Sequence, residues 1–227
     1  MYETIKHIRV VAFDWDGTLV DSFPEIGRAF QLAAKKLNLP DMHPDVVRQH
    51  IGGGHDIMFR AIYDELSIEE SIPCRELFWS TFYEVYQSSH VKLFPGVLSS
   101  LQQLKKQGFA LYIATNKPSH SFFVEYEAMP ELHGLFDQVL CADQYRGKPD
   151  PLMLSTIVES AGVQASELLM VGDTSFDVLA AKANGSPVAA VSCGNMTADE
   201  LADLEPDWLD AGVPEVCARV VGAPILV

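Results

Sequence analysis

The chain has 227 residues, enough for one substantial core, or for one core with a smaller module inserted in it. Hydrophobic residues make up 48% and charged residues 21%, the balance of a folded globular protein rather than a disordered one. The formal net charge of -15 comes from 31 acidic against 16 basic side chains, and such a surface repels nucleic-acid backbones and anionic lipids.

The four cysteines, Cys74, Cys141, Cys193 and Cys217, form no CxxC pair, which argues against a structural zinc site or a disulfide framework. The opening MYETIKHIRV lacks a long apolar signal segment, and no run of about 18 apolar residues follows anywhere. The expectation is a cytoplasmic protein with reduced thiols and with neither nucleic acid nor membrane as a partner. The sequence does not set an oligomeric state.

In chain order, the first predicted strand is Ile8–Phe13. Four more short apolar runs follow at Ala110–Ala114, Val139–Cys141, Leu168–Val171 and Val188–Val191. Continuous apolar character, rather than alternation, suits strands covered on both faces of a parallel sheet. Helices are predicted between them. Val97–Gln107 follows Pro95-Gly96 and stops at Gly108, Pro151–Ala161 stops at Gly162, and Phe176–Asn184 stops at Gly185. This alternation predicts an α/β fold with a doubly wound parallel sheet.

The interval between the first two strands is too long for a simple crossover. Within it Ile26, Phe30, Ala33 and Leu37, and later Leu77, Phe78, Phe82 and Val85, recur at helical spacing and are read as core packing. The expected organisation is an α/β core from residues 1–20 and 91–227, with an inserted α-helical cap at 21–90.

Open α/β sheets bind ligands beyond the carboxyl ends of their strands. The polar residues concentrate there. They are Asp14-Trp15-Asp16-Gly17-Thr18, then Thr115-Asn116-Lys117, then Arg146-Gly147-Lys148-Pro149, and last Gly172-Asp173-Thr174-Ser175-Phe176-Asp177. If the sheet forms, three or four carboxylates and one or two lysines meet at one edge. Crowded carboxylates repel unless a cation lies between them, and Mg2+ typically takes one or two carboxylates together with substrate phosphate. A lysine beside it would neutralise a transferring phosphoryl group. One carboxylate could attack phosphorus, and a second could move the protons. Taken singly each piece has a plainer reading, since Asp and Thr are common at turns and helix caps. Four such sites in order, each at a strand end, are not easily coincidental.

FDWDGTLVDS, ATNKP, RGKPDP and VGDTSFDVLAAKANG together resemble the four motifs of the haloacid dehalogenase superfamily. Within it the chain resembles the branch of phosphoglycolate phosphatases and beta-phosphoglucomutases, which carry a helical cap after the first motif. The resemblance implies Asp14 as nucleophile and Mg2+ ligand. It implies Asp16 as general acid/base, ligating the metal through its backbone carbonyl. Thr115 and Lys148 would hold phosphoryl oxygens, with Asn116 in support. Asp173 would complete the metal shell, and Asp177 would contribute directly or through water. Asp21 and Ser22 would shape the cap hinge.

In the cap, Arg48, Gly52, Gly53, Gly54 and His55 resemble a substrate-specificity loop, and no Walker lysine follows the glycines. His43, His50 and His55 are irregularly spaced and are read as cap-loop residues rather than a metal site. The expected function is Mg2+-dependent hydrolysis of a small phosphorylated metabolite. Phosphoglycolate is the first guess, and sugar phosphates and nucleotides remain open. The alternatives are a phosphosugar mutase, for which Arg48 would grip a second phosphate, and a catalytically silent phosphate-binding protein. A true dehalogenase is disfavoured, because Asp16 has no task when halide leaves.

Overall fold

The computed structural model describes residues 7–40, 43–49, 51–52, 58–60, 63, 68–86 and 91–222. Its centre is a six-stranded sheet built from β1 (Val10–Phe13), β4 (Ala110–Thr115), β5 (Gln138–Cys141), β6 (Leu168–Gly172), β7 (Val188–Val191) and β8 (Trp208–Asp210). The strand order is β5-β4-β1-β6-β7-β8, and every neighbouring pair is parallel. The chain winds outward from β1 to β5, then returns to β6 on the other side of β1. That reversal opens a crevice at the carboxyl end of the first strand.

The continuous apolar runs have a direct structural cause. Successive side chains of a strand point to opposite faces, so both faces must find a cover. Val11, Phe13, Leu111, Ile113, Leu169 and Val171 enter one core, beneath α4 (Val97–Lys106), α5 (Ser119–Glu127) and α9 (Val213–Val221). Their strand neighbours Val10, Ala12, Tyr112, Ala114, Leu168 and Met170 enter a second core, beneath α6 (Leu152–Ala161), α7 (Ser175–Asn184) and α8 (Ala198–Ala202).

Between β2 (Val20–Asp21) and β3 (Lys92–Leu93), which pair antiparallel, lie α1 (Phe23–Lys36), α2 (Pro44–Gln49) and α3 (Ile68–Tyr86). They share a third, separate cluster that includes Ile26, Phe30, Ala33, Phe78 and Phe82. The Phe30 and Phe78 rings meet at 4.6 Å between centroids. The stripe expected on α3 is shifted. Leu77 is 55% exposed, whereas its neighbours Phe78 and Trp79 are buried, because the aromatic side of this helix faces α1. Phe78→Ala should cost about 3–5 kcal/mol, the usual range for emptying an aromatic core position. Urea unfolding would check this, and an unchanged midpoint would mean that the cluster contributes no stability.

The sequence pattern predicts neither β8, α5, α8 and α9 nor the β2–β3 pair, and several predicted element ends differ by one or two residues from those observed. No helix among the described residues is long and apolar enough to cross a membrane.

Candidate active site

Asp14 follows β1 directly, and its amide still donates to the Val171 carbonyl at 2.9 Å, so the sheet ladder fixes its backbone. The chain then turns sharply. Leu19 and Val20 amides donate to the Trp15 carbonyl at 3.0 and 3.1 Å, and the Gly17 amide donates to Val20 at 2.9 Å. Gly17 has φ +82°, a conformation that side chains disfavour, and a Cβ there would strike the Asp173 carboxylate and the Phe23 ring. The turn thus carries Asp16 above the sheet edge beside Asp14.

The other strand ends converge on the same place. Lys148 Nζ lies 2.7 Å from Asp14 Oδ1 and 2.6 Å from Asp177 Oδ1, with all three side chains buried. Asp177 Oδ2 accepts from the Thr174 amide at 3.0 Å and hydroxyl at 2.7 Å, capping α7. Asp173 is fully enclosed. Its Oδ1 accepts from the Thr18 hydroxyl at 2.9 Å and its Oδ2 from the Asn195 amide at 2.6 Å. Asn116 ties two loops together. It accepts from the Lys148 amide at 2.7 Å and donates to the Lys148 carbonyl at 2.9 Å. Thr115 is buried, lines the cavity, and accepts from the Lys117 amide at 3.1 Å.

Carboxylate oxygens of Asp14, Asp173 and Asp177 lie within 4.8 Å of one another. Burial pushes the Asp14 carboxyl up to about 6 against the pull of Lys148, and Asp177 and Asp16 add to the rise. Burial likewise raises Asp173 well above the carboxylate range, with Asp14 and Asp177 adding to it. Three buried carboxylates facing one ammonium leave excess negative charge in a low-dielectric site. An oxygen-lined cluster of this kind fits a hard divalent cation such as Mg2+.

Over this floor lies a cavity whose roof is apolar, with Ile26, Trp79, Phe82 and Tyr86 from the helical module facing Asp14, Asp16 and Thr115. Hydrogen bonds among the described residues join module and core around it. Asn116 Nδ2 donates to the Gly52 carbonyl at 2.7 Å, Asn195 Nδ2 to the Ile51 carbonyl at 3.1 Å, and Arg48 Nη2 to the Gly194 carbonyl at 2.6 Å. Arg48 also sits over the Phe23 ring and is not part of the cavity lining. Gly52 lines the cavity, whereas Gly53, Gly54 and His55 lie outside the described residues. Arg146 is exposed and pairs with Asp150 at 3.2 Å.

The sequence assigns no individual role to Lys117, Glu125, Tyr86 or Asn195. Lys117 reaches Asp16, and Asn195 anchors Asp173. Lys117 was visible as the third residue of the Thr-Asn-Lys strand end, but Asn195 carried no signal.

The haloacid dehalogenase-like hydrolase family model matches residues 11–191. A phosphoglycolate phosphatase of Vibrio cholerae is 35% identical over 216 residues, covering 90% of this chain and 93% of the relative. Among solved structures, a predicted phosphoglycolate phosphatase from Haemophilus somnus superposes with a TM-score of 0.78 at 27% identity, covering 92% of this chain and 96% of that one. A haloacid dehalogenase-like family hydrolase from Streptococcus pneumoniae gives a TM-score of 0.81 at 24% identity, covering 93% and 97% of the two chains. The parallel sheet, its strand-end carboxylates and these relatives define a hydrolase with an α/β fold. The chain belongs to the haloacid dehalogenase-like hydrolase family.

Proposed function

We propose that this haloacid dehalogenase-family phosphatase hydrolyses a small phosphate monoester through an aspartyl-phosphate on Asp14, with phosphoglycolate the first candidate substrate. The observation that carries the mechanism is the buried meeting of Asp14 with Lys148, Asp173 and Asp177 at the carboxyl edge of the sheet. Phosphoglycolate comes from the names of relatives about 35% identical to this chain.

In the first step an Asp14 oxygen bonds to phosphorus and the bond to the leaving alkoxide breaks, while Asp16 gives its proton to that alkoxide. In the second, water attacks phosphorus, its proton goes to the Asp16 carboxylate, and Asp14 departs as inorganic phosphate is released. Lys148 and Thr115 hold the non-bridging oxygens, and Asn116 fixes the loop that carries Lys148. Asp14, Asp173 and the Asp16 backbone carbonyl would hold Mg2+, with Asp177 close by. The ion would offset the charge on the phosphoryl group. Residues 21–90 act as the cap, excluding water and reading the rest of the substrate. The mutase alternative drew on Arg48, whose guanidinium is engaged by Gly194 and Phe23 instead.

The test is release of inorganic phosphate from a panel of phosphorylated metabolites, with magnesium and with EDTA. Phosphoglycolate should rank first. Turnover of another phosphate at higher kcat/KM would replace the substrate, and undiminished activity in EDTA would remove the metal. Asp173→Ala should shift the Mg2+ activation curve to much higher concentration, because it deletes a negative oxygen ligand. An unchanged curve with full turnover would place the ion elsewhere.

A further inference from the structure

The pairing of lysines with carboxylates is divided across this site. Lys148 serves Asp14 and Asp177. Lys117 turns away from them and lies 2.9 and 3.1 Å from the two Asp16 oxygens. Its remaining contacts are Glu125 Oε1 at 2.9 Å and the Tyr86 hydroxyl at 3.3 Å, with the Tyr86 ring centroid 4.9 Å away. The Lys117 ammonium donates to the Asp16 carboxylate and the Tyr86 hydroxyl, and Glu125 Oε1 lies at ion-pair distance from it.

Glu125 is held equally firmly. It stands on α5 with its other oxygen accepting from Trp15 Nε1 at 2.6 Å. Trp15 is the residue between Asp14 and Asp16, is fully buried, and packs edge-on against Phe122 of the same helix at 4.8 Å. One carboxylate therefore braces the backbone between the two aspartates and the lysine that grips the second. The side chains of Lys117 and Glu125 are each only 5% exposed. A buried ion pair gives little net stability once desolvation is counted, so its presence is not accounted for by folding alone.

We propose that Lys117 is the positioning residue for Asp16, fixing the carboxylate where it transfers the proton, and that Glu125 and Tyr86 hold Lys117 for that purpose. This rests on the reading of Asp16 as the acid/base. The proton still travels between Asp16 and the leaving or attacking oxygen, and Lys117 neither gains nor loses one. Tyr86 is the last residue of α3, so the helical module also touches this chain of contacts.

The experiment is a double-mutant cycle on Asp16→Asn and Lys117→Met, using the alkyl phosphate that the wild type turns over fastest and p-nitrophenyl phosphate. Lys117→Met should lower kcat on the alkyl phosphate by about 100-fold, the lower range for general acid–base catalysis, with KM little changed. The burst of p-nitrophenolate, whose departure needs no proton, should suffer far less. In the Asp16→Asn background the same change should cost nothing further, because Lys117 acts through the group already removed. A loss that persists in that background, an equal loss in both assays, a KM rise at constant kcat, or no loss at all would overturn the proposal. Wild-type rates for Asp16→Asn alone would instead overturn the acid/base reading, and the proposal with it. If Lys117→Met does not fold by circular dichroism, Glu125→Gln replaces it in the same cycle. It releases the lysine while preserving shape, and its loss must likewise vanish when Asp16 is asparagine.

Discussion

Asp14→Asn should reduce turnover by roughly 10⁴-fold or more, the scale on which removal of an enzyme's nucleophile is felt. The amide keeps the shape of the carboxylate but cannot attack phosphorus. The fold should not suffer. In the metal-free protein the Asp14 carboxyl is raised from 3.8 to about 6, so the folded state disfavours its charged form. An acid raised on folding costs no stability below its unfolded pKa, and its cost grows as pH rises from there through the folded value. In EDTA the asparagine variant should therefore melt no lower than wild type at neutral pH, and any advantage it has should vanish as pH falls below about 4. Lys148 keeps Asp177 as a partner in the variant. Appreciable activity in a preparation free of deamidated protein would remove Asp14 as nucleophile. A large drop in melting temperature at neutral pH would show that its pairing with Lys148 outweighs the cost of burial.

The second large effect is expected at Asp16. Asp16→Asn should slow alkyl phosphates by about 10²–10⁴-fold, the usual worth of a positioned acid or base. An alkoxide leaves poorly without a proton, whereas p-nitrophenolate does not need one. With the aryl ester the first step should survive better than the second, which still requires a base for water. Aspartyl-phosphate should then accumulate, detectable as an added phosphoryl mass on acid-quenched protein. Equal rates for variant and wild type on both esters would exclude the acid/base role.

Sheet and strand-end loops could be read from the sequence because their cause is local. A strand covered on both faces must be apolar at every position, and Val10–Phe13, Leu168–Val171 and Val188–Val191 satisfy that rule without interruption. What was missed obeys weaker rules. β8 has three residues, Trp208, Leu209 and Asp210, and an edge strand needs no continuous apolar run. In α5, Phe122 is buried while Phe123 and Val124 are exposed, so its apolar residues do not mark one face. On α3 closely spaced aromatics hid which side turns inward, and Leu77 fell on the outer side.

The same division runs through the site. Asp14, Asp16, Lys148, Asp173 and Asp177 were legible because parallel strands deliver their carboxyl ends to one edge, so the order of motifs along the chain already implies their convergence. That implication covers position, not partnership. Which lysine faces which aspartate depends on side-chain packing between segments far apart in sequence. Asp16 and Lys117 are 101 residues apart, and Trp15 and Glu125 are 110 apart. The sequence by itself determined the sheet, the edge at which the chemistry gathers, and the residue types available there. Only the tertiary structure decided that Lys148 serves Asp14 while Lys117 serves Asp16. Burial makes every unpaired charge costly, and the packed helices leave each ammonium one set of carboxylates within reach.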